Sequence, residues 1–272
     1  VANRVTGGLK FIRDRFRPLS TTSAGVLVPD DRELRYVFAR FDHAESDFMK
    51  LDFVNKDLRY EDFNVGRQYS LESAFSSTLI GAHHNTAFGR ASLSDGHRIS
   101  DTSFTAGSIA VESRFAGGAE HTVASGTIMG VWRRRTRHPS TTVARLAVHS
   151  GWRLDRDAQF FADGLNGLRG YRAFAFSGSR SVIVNLEQRI YLGRELLQIV
   201  SPGVVAFVDA GNATNGGMSD LLRLKADAGI GIRIGLPRTP KNLLRMDVAY
   251  AFAPDWRGRK GWLISFGSGQ AF

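Results

Sequence analysis

The sequence predicts an all-β fold: a transmembrane antiparallel β-barrel of about 12 strands with one long loop folded into its lumen. Three observations predict it. From residue 33 onward, apolar and polar residues alternate with a period of two, in segments of about ten residues as barrel strands do. The polar positions mix Arg, Lys, Asp and Glu with Gly, which suits a wet interior, and the last segment stops on an aromatic, Phe272. No run approaches the roughly 18 uninterrupted apolar residues of a membrane-crossing helix, which barrel strands never produce. Turned inside out, the same period describes a soluble sandwich.

Residues 1–32 come first and do not follow this pattern. Leu9, Ile12 and Phe16 fall at helical spacing, while Lys10, Arg13, Arg15 and Arg17 occupy other positions. One reading is a short basic amphipathic helix on the membrane surface or inside the barrel; the other is a frayed, solvated terminus. Pro18 and the Ser/Thr run after it would end any helix. The barrel is therefore expected over residues 33–272.

Seven strands are read before the long loop. Residues 34–42 and 47–55 form a hairpin pair, the second with Met49, Leu51 and Phe53 on one face and Lys50 and Asp52 on the other. Residues 63–74 point Val65, Tyr69 and Leu71 outward, and Asn64, Gln68, Ser70 and Glu72 inward. Residues 85–94 follow, with Asp95-Gly96 as a hairpin turn. Residues 98–114 and 120–134 flank Ala116-Gly117-Gly118, and residues 141–153 set Ala144, Leu146, Val148 and Trp152 against Arg145, His149 and Arg153.

Five strands follow the loop. Val182, Val184, Leu186, Ile190 and Leu192 oppose Asn185, Glu187, Arg189 and Tyr191; Asp209 opposes Val208 and Ala210. Ile230, Ile232 and Ile234 oppose Asp227 and Arg233, and Leu244, Met246, Val248 and Tyr250 oppose Arg245 and Asp247. Trp262, Ile264, Phe266 and Phe272 share a face with Ser268 and Gln270. The sum is even, as a single-chain bacterial barrel requires. Gly229-x-Gly231 lies inside a strand, so it relieves crowding in the interior rather than binding phosphate.

The loop, residues 154–180, carries Asp163-Gly164-Leu165-Asn166-Gly167-Leu168-Arg169-Gly170-Tyr171. Glycines around one arginine suit a tight loop that delivers Arg169 to a specific place, although the same residues read equally as an exposed turn. Glu187 and Asp209 on the next two strands supply what a buried ion-pair lock would need.

Four ordered motifs now stand together: Leu168-Arg169-Gly170-Tyr171, Val184-Asn185-Leu186-Glu187-Gln188-Arg189, Phe207-Val208-Asp209-Ala210-Gly211, and the terminal Phe272. They resemble the C-terminal barrel of the BamA/TamA (bacterial surface antigen) superfamily, over roughly residues 164–272. The resemblance implies the outer membrane of a Gram-negative bacterium and insertion or translocation of proteins, or handling of lipids, there. It also implies that the loop enters the lumen and is held there by Gly167, Leu168, Arg169, Gly170 and Tyr171 against Glu187 and Asp209. In larger members the same loop precedes five strands. Their periplasmic POTRA modules have no counterpart in the thirty-odd leading residues, so a short member lacking them is expected. Val1 follows no Met and no signal sequence, so the chain reads as processed or trimmed.

Composition sets further bounds. The net charge is +10 and there is no Cys among the 272 residues, which removes disulfides and thiolate metal sites. The Arg residues are scattered through strand-like segments, so a basic lumen, or loops meeting anionic lipopolysaccharide, accounts for the charge and no nucleic-acid partner is expected. His83-His84, Ser76-Ser77 and Asp47, or His121 with Ser125, could supply a nucleophile and base, but no Gly-x-Ser-x-Gly elbow or paired arrangement stands out. Asp30-Asp31 and His83-His84 are too sparse for a metal site. No enzyme activity, metal or cofactor is expected. The expected function is translocation or insertion through a labile seam between first and last strands, because unpaired edge backbone in hydrocarbon is costly and a weakly closed barrel can accept a client strand. Phe266, Gly267, Gly269 and Phe272 would form that edge. The alternative is a structural barrel anchoring a separately encoded periplasmic or secreted protein.

Overall fold

A computed structural model describes residues 1–17, 31–56, 58–82, 84–197, 199–236, 238 and 243–272. The helix stop at Pro18, Asp30 and His83 lie outside the described residues. In chain order the strands are β1 (Ala2–Asp14), β2 (Arg32–Ala44), β3 (Phe48–Leu51), β4 (Glu61–Asn64), β5 (Gln68–Ser76), β6 (Thr86–Ser100), β7 (Ser103–Phe115) and β8 (Ala119–Arg134). After them come β9 (Ser140–Trp152), β10 (Phe160–Ala162), β11 (Phe176–Gly178), β12 (Arg180–Tyr191), β13 (Ser201–Thr214), β14 (Lys225–Gly235), β15 (Leu243–Ala251) and β16 (Gly261–Ser268).

One antiparallel sheet of 12 strands runs β1-β2-β5-β6-β7-β8-β9-β12-β13-β14-β15-β16, while β3 pairs only with β4, and β10 only with β11. Among the described residues β1 and β16 each pair on one side alone. The sheet curls around its polar face. The segment hung between β2 and β5 reaches β12, where Arg189 donates to the Val54 carbonyl at 2.6 Å, and reaches the residues after β16, where Gln270 donates to the Asn55 carbonyl at 3.4 Å.

The choice between soluble sandwich and membrane barrel is visible in which face is covered. On β12 to β15 the buried positions include six charged ones, Glu187, Arg189, Asp209, Asp227, Arg233 and Asp247, while Leu186, Val208 and Ile230 are exposed, Ile230 at 68%. On β16, Trp262 and Phe266 are exposed at 74% and 75%. A soluble sandwich would bury the apolar face. This sheet buries the charged one, as a barrel in lipid does.

Four expectations are corrected. Residues 2–14 are a strand rather than part of a helix, paired with β2 over their whole length; Val5, Gly7, Leu9 and Phe11 all lie on its exposed face, and the Gly7-Gly8 pair had interrupted the alternation. Residues 47–55 are not a strand of the 12-stranded sheet. They open the β3–β4 hairpin, which folds into the interior and buries Met49, Leu51, Val54 and Val65 against Phe104, Val131 and Val143. Asp95-Gly96 is not a turn but lies within β6, where a Cβ on Gly96 would come 2.8 Å from the Val65 Cα; the glycine admits the hairpin's backbone. Strand β16 ends at Ser268, and Gly269 at φ +77° turns the chain inward. Thus Phe272 packs on the hairpin's cluster instead of facing outward.

Candidate functional site

The loop between β9 and β12 is built around Asp163. Its Oδ1 accepts from the Leu165 and Asn166 amides at 3.0 and 3.1 Å, and its Oδ2 from the Phe174 amide at 2.7 Å. These bonds close the turn that presents Leu168 and Arg169. Gly167 has φ +119°, a left-handed conformation that only glycine adopts without strain. A Cβ on Gly170 would sit 2.6 Å from that of Asp227, so glycine there lets the loop lie directly on β14. Leu168 and Tyr171 are buried with Ala162, Ala175, Ile183, Ala213 and Ala251, and the Tyr171 hydroxyl donates to the Ala226 carbonyl at 3.2 Å.

Arg169 then reaches the wall. Its Nε and Nη2 donate to Asp209 at 2.8 and 3.0 Å, the bidentate geometry that suits a planar guanidinium. Nη1 donates to Glu187. The guanidinium lies 3.5 Å from the centre of the Phe207 ring, and Arg169, Glu187 and Asp209 are all buried. Asn185 ties wall to loop, donating to Asp209 at 2.8 Å and to the Gly167 carbonyl at 2.7 Å.

Further ion pairs extend the cluster along the wall. Arg189 donates to Glu187 at 2.6 Å, and Arg233 to Asp247 at 2.6 Å. Gly229 and Gly231 make the room expected of them: a Cβ at Gly231 would fall 2.0 Å from Asp247 Oδ1, and one at Gly229 would fall 2.5 Å from the Phe207 ring.

From the other end, the β3–β4 hairpin docks on the wall through polar contacts as well as apolar ones. Arg133 pairs with Asp52 at 2.7 Å, and Thr141 donates to the Phe53 carbonyl at 2.6 Å. Of the residues assigned to the edge, Phe266 points outward. Gly267 faces the interior, where a Cβ would lie 2.7 Å from Arg245 Nε. Past Gly269, Gln270 accepts from Arg233 at 3.2 Å, and the Phe272 ring has Arg145, Arg169 and Arg189 within 5.6–5.9 Å.

A second anchor was missed by sequence reasoning. Asp155, at the start of the loop, receives both terminal nitrogens of Arg114 at 3.0 and 2.6 Å and an ion pair from Arg32, and its backbone amide donates to His121 Nδ1 at 3.3 Å. Burial pushes the Asp155 carboxyl up, but the Arg114 hydrogen bonds and the surrounding positive charges outweigh it and hold it below the usual carboxylate range. His121 reaches this site because a register shift between β7 and β8 turns it there, with φ +43°.

The family model for the Omp85 superfamily domain matches residues 130–272, more than half of the chain. The chain belongs to the Omp85 superfamily. The matched span holds the loop, Arg169 and both of its carboxylates, together with the last five strands of the sheet. Membership supports an outer-membrane β-barrel. The first 129 residues, with the interior hairpin, lie outside the match. No curated protein matches the chain.

Proposed function

We propose that the chain is an outer-membrane barrel that inserts or translocates protein, or lipid, at the outer membrane through the seam between β1 and β16, without catalytic chemistry. One observation carries this reading: the two terminal strands have free edges among the described residues, while the loop from one end and the hairpin from the other cover the interior wall from β7 to β15. A client that enters at the seam has to displace neither of them. Exposed edge backbone is costly in hydrocarbon, so a client strand that satisfies it is favoured. The lock then keeps the interior closed while the seam opens.

The test uses the absence of native Cys. Cysteine pairs scanned between residues 3–13 and 262–268 should include at least one that forms a disulfide across the seam. In liposomes, the reduced protein should accelerate assembly of an unfolded barrel client, and oxidation of that pair should abolish the effect reversibly. Undiminished client assembly by the cross-linked protein would rule out the seam. A chain that never assists assembly but co-purifies stoichiometrically with another protein would favour the anchoring reading instead.

A further inference from the structure

Outside the barrel, the exposed face of the last five strands is not evenly covered. Two cross-strand rows run around it. One is Leu186, Val208, Ala228, Tyr250 and Trp262; the other is Gln188, Ala206, Ile230, Val248 and Ile264. Where the neighbouring side chains are large, Ala206 and Ala228 are small, and a recess of about 900 Å³ opens over β13 and β14. Its width of two strand spacings is about 10 Å, a trough fit for extended hydrocarbon.

The trough has distinct ends. Toward the end of the sheet that carries the Arg169 loop it reaches Tyr250, Phe252 and Trp262, with the Tyr250 and Trp262 rings edge-to-face at 5.1 Å. Aromatic residues of a barrel's outer face gather at headgroup depth. Directly beyond them are the two connections 215–224 and 252–260. These carry Arg223, Arg257, Arg259 and Lys260 against only Asp220 and Asp255. Asp255 is taken by Arg259 at 2.8 Å. Arg223 is 78% exposed along its side chain, with Asp220 no nearer than 3.8 Å. Apolar side chains flank these cations: Leu222, Phe252 and Trp256 are 58–66% exposed. An apolar trough that ends at aromatic rings beneath surplus positive charge matches a lipid with a phosphorylated headgroup.

We infer that this trough is a binding site for a phosphate-bearing acyl lipid, its chain lying over Ala206 and Ala228 and its phosphate meeting Arg223 and Lys260. The site lies on the opposite face of the sheet from the ion-pair lock, and lipid retention is measured without any client, so the seam reading can fail with this one intact.

The experiment places the purified chain in phosphatidylethanolamine nanodiscs containing a small fraction of lipid A, or of lipid A stripped of its phosphates, and counts the lipids retained in native mass spectrometry. The wild type should retain one lipid A at least fivefold more than the dephosphorylated form. Arg223→Gln with Lys260→Gln, both in surface connections, should abolish that preference. Ala206→Leu with Ala228→Leu should reduce retention of both forms. Equal retention of the two lipids by the wild type would overturn the proposal, as would a phosphate preference that survives the loop substitutions. Loss of retention in the alanine variants counts in favour only if the loop variants, whose strands are untouched, also lose the preference; otherwise it overturns the site.

Discussion

Arg169→Ala removes two hydrogen bonds to Asp209, one to Glu187, and the stack on Phe207. Breaking one partner of a buried ion pair typically costs about 3–5 kcal/mol, against roughly 0–1 kcal/mol for a solvated pair. The structure places this case at the lower end. Asp209 keeps Asn185 at 2.8 Å and Glu187 keeps Arg189 at 2.6 Å, so neither carboxylate is left without a donor. About 3 kcal/mol corresponds to a roughly 150-fold larger open population of the loop, and cleavage tracks that population when closing is fast. Arg156 and Arg172 are exposed on the loop and give trypsin sites that report its opening in detergent. Cleavage at Arg172 should accelerate by about two orders of magnitude, with a lower unfolding temperature. Asp209→Asn should act in the same direction, and the double variant should be less than additive because the two residues touch. Arg169→Lys should recover only part of the loss, since an ammonium lacks the planar fork. Cleavage of Arg169→Ala within about twofold of wild type would refute the lock.

Two further outcomes follow from the surrounding contacts. Because the folded Asp155 carboxyl titrates below the unfolded one, its anchor contributes fully above the unfolded range near pH ~3.9 and is lost as pH falls through the lower folded value. Amide exchange over residues 153–159, corrected for intrinsic rates, should therefore stay constant from neutral pH to about 5 and rise only in stronger acid, and Asp155→Asn should raise it at neutral pH and converge with the wild type in strong acid. Leu51→Ala removes a side chain that is 1% exposed at the centre of the hairpin cluster; at about 2–5 kcal/mol it should release the hairpin and appear as more frequent openings in planar-bilayer recordings, whereas unchanged conductance would mean the hairpin does not seal the interior.

The sequence made the second half of the sheet legible because every strand after the loop pairs with its chain neighbour, so alternation alone assigns its faces. Glu187 and Asp209 could be placed inward in this way, and only Arg169 had both the charge and the flanking glycines to meet them. The first half resisted for a physical reason. Met49, Leu51 and Phe53 alternate identically whether they meet lipid or the interior of a curled sheet, and only the partner distinguishes the two. At the other extreme, β1 carries Gly7-Gly8 where its outward residues should continue, and three apolar residues at helical spacing outweighed a strand with a gap. The sheet has 12 strands, but β1 is one of them, and residues 47–55, which alternate as its strands do, lie outside it. Asp155 left no trace because its partners Arg32, Arg114 and His121 come from three strands whose registers no pattern fixed. The inward turn of Gln270 and Phe272 hangs on one backbone angle at Gly269.

What joins these parts is the choice of charged groups where apolar packing would serve. A buried ion pair is seldom more stabilising than well-packed hydrophobic residues of the same volume, so stability alone does not account for the lock. Glu187 receives Arg169 from the loop and Arg189 from the wall, and Arg189 holds the hairpin through the Val54 carbonyl. The two fillings of the interior therefore share one carboxylate. If either leaves, water enters a wall of carboxylates and guanidiniums that it solvates well, whereas an apolar wall would be exposed at great cost. Charged packing gives an interior that is specific when filled and tolerable when open, and the seam-opening barrel proposed above would need both.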